Sequence, residues 1–218
     1  MKTNLSALRG IVAVLALAAG TGVSTLNAEE DPAALRERVA TLEKRLAELE
    51  NKEDSAKKIE RLREENKVKA RKRAAEDRSH YSQEELAEIE SLYQVANKNW
   101  RTDEARTSLK KLLDKFDRAN RTGCATLYMG QLSTGKERID YLTRAVEKFS
   151  DCYYFDGCQV GGYGRLVLAL ALWESGQKDQ ARTLFGELKT TYKDAIDHQG
   201  RPMSEVAAAA EKELSAKP

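Results

Sequence analysis

The residues best suited to chemistry are three cysteines, two histidines and a few acids near the second histidine. Cys124, Cys152 and Cys158 do not form a CxxC redox motif. Cys124 stands at the start of one predicted helix and Cys152 just past the end of the next, so both fall at the same end of an antiparallel hairpin. Cys158 leads into the following helix and is expected close by. In an oxidising compartment this placement permits a disulfide. Cys124–Cys152 is the favoured pair and Cys152–Cys158 the second, provided the Cα atoms approach within about 7 Å. So few thiols, with histidines remote in sequence, make no metal-ligand pattern, and no metal or cofactor is expected. His80 precedes a helix cap and should be exposed. His198 closes the run Asp194-Ala-Ile-Asp-His and, with Asp156 and Asp194, supplies acid–base groups in principle. Neither a nucleophile motif nor a glycine-rich phosphate loop accompanies them. A turn that docks the last helix is the plainer reading, and the chain is read as a non-enzyme.

The elements that position these residues are helical. The chain has 218 residues, only three of them proline, and its apolar residues recur at helical spacing. A third of the residues are charged, yet the net charge is only +2, so nothing global argues for nucleic acid or an anionic membrane. The expected fold class is all-α.

Residues 1–28 read as a cleavable export signal. Lys2 and Arg9 precede the apolar run Ile11–Ala19, which is short for a bilayer span, and Leu26-Asn27-Ala28 is an acceptable cleavage sequence. The expected location is periplasmic or secreted, with no transmembrane segment in the mature chain. An uncleaved anchor is the alternative.

Residues 29–80 are expected to form a coiled-coil arm. Leu35, Val39, Leu42, Leu46 and Leu49 follow one another at steps of 4, 3, 4 and 3. In a parallel pair, Asp31 would face Arg36, Arg38 would face Glu43 and Arg45 would face Glu50, all opposite in sign. The seam predicts a homo-oligomer. The register then fails at Glu53, resumes shifted at Ala56, Ile59 and Leu62, and places Asn66 near an a position. The basic run Lys67–Arg73 shows no apolar stripe and reads as a solvated face.

Residues 81–195 read as an array of helical hairpins. Ser82-Gln83-Glu84-Glu85 is a capping box, and Thr102 caps the next helix. Asn120–Gly123 reads as a loop, and Asn120-Arg121-Thr122 has the form of a glycosylation sequon. Ser150–Gly162 is a longer loop that carries Tyr153, Tyr154 and Phe155. The last hairpin, Tyr163–Ser175 and Lys178–Tyr192 about Gly176, is apolar almost all round in its first helix. Residues 196–218 form a capping helix and tail.

The second helices end alike, in LLDKFDRA, AVEKFSDC and LKTTYKDA, with Phe116, Phe149 and Tyr192 in register. A unit of two helices recurring near 34 residues is the tetratricopeptide pattern. The last hairpin resembles that family through Ala169, Gly176, Ala181, Phe185 and Tyr192–Ala195, with Lys193 where the family has proline. The first matches through Ala105 and Leu109, with Trp100 in place of the turn glycine, and the middle departs from it at Arg138. The order of signal, coil and repeats also resembles periplasmic proteins associated with the Tol-Pal envelope machinery. That resemblance implies an adaptor which multimerises through its coil and binds envelope proteins. The expected contact residues are Tyr128, Gln131, Tyr153, Tyr154 and Arg165. A spacer or chaperone-like module is the alternative, and an enzyme the remote one.

Overall fold

A computed structural model of the chain describes residues 32–216, with side chains from Glu37 onward. The expected export segment, Asp31 and the side chains of Leu35 and Arg36 lie outside the described residues. Among those described there are eight α-helices, and the only β pairing is two isolated bridges. The helices are α1 (Pro32–Glu76), α2 (Gln83–Asn99), α3 (Asp103–Lys115), α4 (Asn120–Leu132), α5 (Gly135–Lys148), α6 (Val160–Glu174), α7 (Lys178–Lys189) and α8 (Met203–Ala216). No described helix is long and apolar enough to cross a membrane.

The chain divides into two compact units at Glu50/Asn51. In the first unit the described chain is helix, and its apolar seam is open. Val39, Leu42 and Leu49 are exposed and Leu46 is half-buried.

The second unit is a stack of hairpins, and its local signals are those the caps announce. Glu85 N–H donates to Ser82 Oγ at 3.2 Å while Ser82 N–H donates to the Glu85 carboxylate at 2.8 Å. Thr102 Oγ1 accepts from Ala105 N–H at 3.1 Å. Gly176, at φ +84°, ends α6 in a conformation that disfavours side chains. Helices α2 and α3, α4 and α5, and α6 and α7 pack as pairs, and each pair packs on the next. The first helices also touch in series: α2 meets α4, α4 meets α6, and α6 meets α8. One core runs through the stack, with Tyr93, Leu109, Phe116, Leu127, Leu142, Leu168 and Phe185 buried. Arg138, at the poor repeat position, reaches outward to pair with Glu174 at 2.8 Å, which is how the middle hairpin tolerates it.

Three sequence expectations are corrected. Residues Asn120–Gly123 are the first turn of α4, not a loop. Ala119 offers no side-chain cap there, so Asp77 supplies one from afar by accepting from Asn120 N–H at 2.9 Å. Asn120 is itself buried, bonding Tyr153 through both ends of its amide, and offers no accessible glycosylation site in the fold. The loop after α5 ends at Gln159, because α6 begins at Val160.

The third correction concerns α1. From Leu62 onward it is not a free arm. Leu62, Asn66, Ala70 and Asp77 are buried, a stripe too short of large apolar residues to show in the sequence. Asn66 Nδ2 donates to Asp194 O at 3.3 Å. Arg73 donates to Asp77 at 2.8 Å, to Asp151 at 2.8 Å and to Arg118 O at 2.7 Å. This half of α1 therefore ties together the connections that follow α3, α5 and α7. The basic run is split accordingly: Arg71 and Lys72 are exposed, while Arg73 is engaged.

Candidate functional site

The first helices of successive hairpins place tyrosines at one recurring position: Tyr93 on α2, Tyr128 on α4 and Tyr163 on α6, each 35 residues from the last. His198 falls one further step of 35 along the chain. The rings meet. Tyr93 and Tyr128 stack at 5.9 Å, Tyr128 meets Tyr154 edge-on at 5.8 Å, and His198 lies edge-on to Tyr154 at 4.6 Å and to Tyr163 at 5.1 Å. Tyr93, Tyr128, Tyr154 and His198 line a cleft of about 280 Å³, together with Gln94, Asn97, Arg121, Phe155 and Asp156.

Two loops carry the cleft's ionisable wall, and both are shaped locally. The Tyr153–Gln159 bridge folds the loop after α5 back on itself, and Asp156 Oδ1 accepts from Cys158 N–H at 3.0 Å. The buried Asp197 carboxylate accepts from Gln199 and Arg201 N–H at 2.9 and 2.8 Å and from Arg201 Nε at 2.6 Å. That turn presents His198, whose Nδ1 lies 2.7 Å from Asp156 Oδ2. Burial alone would raise the Asp156 carboxyl, but the hydrogen bonds from His198 and Cys158 outweigh it and hold the group below its usual range. Behind both loops stands Arg63 of α1. Gly157 (φ +94°) and Gly200 (φ +83°) pass so close that an added Cβ would lie 3.1 Å from Arg63 O and 2.7 Å from its guanidinium, respectively.

Arg121 forms the inner wall. Its guanidinium lies between the Tyr93 and Phe155 rings, 4.2 and 4.1 Å from their centroids. It donates to both Glu90 oxygens, at 2.8 and 3.0 Å. Its side chain is 9% exposed, and with Phe155 it separates the cleft from a second cavity of about 180 Å³. Burial pushes the Tyr93, Tyr128 and Tyr154 phenols up, so they are neutral donors and acceptors at physiological pH.

The expected contact residues separate into two groups. Tyr128 and Tyr154 line the cleft, while Gln131 lies outside its lining and donates to the Tyr163 hydroxyl at 3.3 Å. Tyr154 is not exposed as expected: it is 5% exposed, and its hydroxyl donates to Cys124 O. Tyr153 and Arg165 are not among the lining residues. Tyr153 is half-buried, with Asp151 and Tyr192 near its phenol. Arg165 is held by Glu187 at 2.5 Å and lies over the Tyr192 ring at 4.2 Å. Asp194 is exposed and also outside the cleft. His80 is exposed, as its place before the cap implies.

All three cysteines are buried free thiols, so the expected Cys124–Cys152 bridge is not formed in this structure. Cys152 packs on the backbone of Gly123, where an added Cβ would lie 2.7 Å from its Sγ. Burial pushes the Cys152 thiol up to about 12 despite Arg73 nearby, and burial raises Cys124 and Cys158 well above their usual value. Protonated and enclosed, none is set up as a nucleophile. No metal-ligand cluster occurs among the described residues.

Reading the sequence missed Tyr93, Arg121 and the meeting of Asp156 with His198. Arg121 falls in the stretch Asn120–Gly123, which reads as a loop. The recurrence of aromatic residues at 93, 128, 163 and 198 was the available signal. Compared with protein-family models, curated proteins and solved structures, the chain matches none of them.

Proposed function

We propose that this protein is an exported, non-enzymatic adaptor of tetratricopeptide type. Its N-terminal helix multimerises through the seam at Leu35, Val39, Leu42, Leu46 and Leu49, and its repeat unit binds protein partners of the cell envelope. The observation that carries the binding role is that Tyr93 and Tyr128, from the first helices of two successive hairpins, line a single cleft with Tyr154 and His198, while Tyr163 of the third packs edge-on against His198. Side chains from several repeats sharing one surface is how stacked helical units recognise partners. The open seam supports multimerisation: three of its apolar side chains face solvent in the single chain.

Two measurements test this reading. Light scattering on a chain starting at Glu29 is expected to give a multimer, and on a chain starting at Asn51 a monomer; equal monomeric masses remove the coil role. The shorter chain keeps the docked half of α1, which the stack needs. In capture from envelope extract, Tyr128→Ala is expected to lose a partner that the parent retains. Retention by both favours the spacer or chaperone-like alternative.

The 2.7 Å contact between Asp156 and His198 favours one second reading, an enzyme with His198 as base and Asp156 orienting it. A turnover abolished by His198→Ala would establish it.

A further inference from the structure

We infer that the cleft takes a cationic side chain, lysine or arginine, from a protein partner, lodged against Tyr128, Tyr154 and Phe155 with its charge on Asp156. The inference rests on the partner-binding reading above and specifies its chemistry.

Size comes first. At about 280 Å³ the cleft lies at the lower edge of ligand pockets, roughly 300–1,000 Å³, and suits one side chain better than a cofactor. The second point is the character of its walls. Aromatic faces attract cations, through the negative face of the ring quadrupole. The molecule already uses this wall so: Arg121 sits between Tyr93 and Phe155, and Phe155 remains 52% exposed.

Third is the balance of donors and acceptors. Arg121 is matched by the two-point contact with Glu90. On the α2 side one N–H of Asn97 is donated to Gln94 Oε1 at 3.2 Å and one N–H of Gln94 to Glu90 Oε1 at 2.5 Å. Asp156 is 42% exposed at its side chain and accepts one bond on each oxygen, leaving lone pairs for another donor. The Nδ1 of His198 is engaged by Asp156 at 2.7 Å, so Nε2 is its remaining polar atom. Arg121 is matched by Glu90, and Asp156 is the carboxylate among the residues lining the cleft. An anionic ligand would face that carboxylate, while the arginine that lines the cleft, Arg121, is already matched.

The test uses the full chain and three small probes: the N-acetyl methylamides of arginine, citrulline and glutamate, titrated while the ring-proton resonances of His198 and Phe155 are followed. The arginine probe is expected to shift both saturably, with the neutral citrulline probe about tenfold weaker. Asp156→Asn should erase that preference. Because Asp156→Asn also disturbs the His198 contact, Phe155→Leu at an exposed position serves as a second variant and should weaken the arginine probe alone. Equal binding of arginine and citrulline, or tighter binding of glutamate, overturns the cationic assignment while leaving the cleft a binding face. No shift with any probe overturns the assignment of the cleft as a side-chain site, and partner capture by the Tyr128→Ala pair then judges the adaptor reading separately.

Discussion

The two halves of α1 belong to one helix and are buried by opposite rules. Before Asn51 the helix carries a regular apolar seam, and Val39, Leu42 and Leu49 are left in solvent. After it, the buried positions are Leu62, Asn66, Ala70 and the neighbouring Asp77, while Val68 is 60% exposed. A periodic stripe of large apolar residues is free surface, and a stripe of small and polar ones is interior. The difference is what lies opposite. The second half meets loop backbone, whose carbonyl and N–H groups need polar partners once buried. Asn66, Arg73 and Asp77 supply them.

The largest expected effect is therefore at Arg73. Removing it leaves the buried Asp77 carboxylate without its cation, so Arg73→Ala should lower unfolding stability in urea by about 3 kcal/mol, while exposed Arg71→Ala should change it by under about 0.5 kcal/mol. Equal effects would erase the distinction between docked and solvated positions of the same helix. Next is Gly157→Ala, which forces a side chain into a positive-φ conformation and against Arg63 O. It should cost about 1–3 kcal/mol and release the Asp156 loop, read as altered His198 ring resonances. Asn66→Ala removes the bond to Asp194 O and the one accepted from Lys69, and leaves Asp194 O unmet, an expected loss of about 1 kcal/mol in the same unfolding assay.

A smaller effect appears in acid. The Asp156 carboxyl is held below its ordinary 3.8 in the folded protein, so its contribution is present above that value and is lost as pH falls through the lower folded one. Acid unfolding of Asp156→Asn should accordingly be less steep over that window. The smallest expected change in monomer stability comes from Leu42→Ser with Leu49→Ser, since both side chains are already wet. On the adaptor reading this pair instead abolishes the multimer, measured by light scattering.

Much of the helical layout was legible in the sequence for a local reason. Ser82 and Thr102 announce their helices because a cap bonds an N–H three residues on, and Gly176 ends α6 because the turn needs a positive φ there. The start of α4 was not legible, because the group that satisfies Asn120 N–H is Asp77, on another element. The seam of α1 was visible as a pattern, but its docked half was not, because Asn66 and Ala70 carry no apolar signal.

By itself, then, the sequence determined the all-helical character, the hairpin units and their turns, since those depend on contacts within a few residues. Tertiary structure alone decided that Asp156 and His198, 42 residues apart, would share a hydrogen bond, that Arg121 would lie between two rings, and that three cysteines would remain buried thiols. Each of these depends on how stacked helices bring distant loops to one end. No local preference encodes that approach, which follows from burying the apolar faces of neighbouring hairpins together.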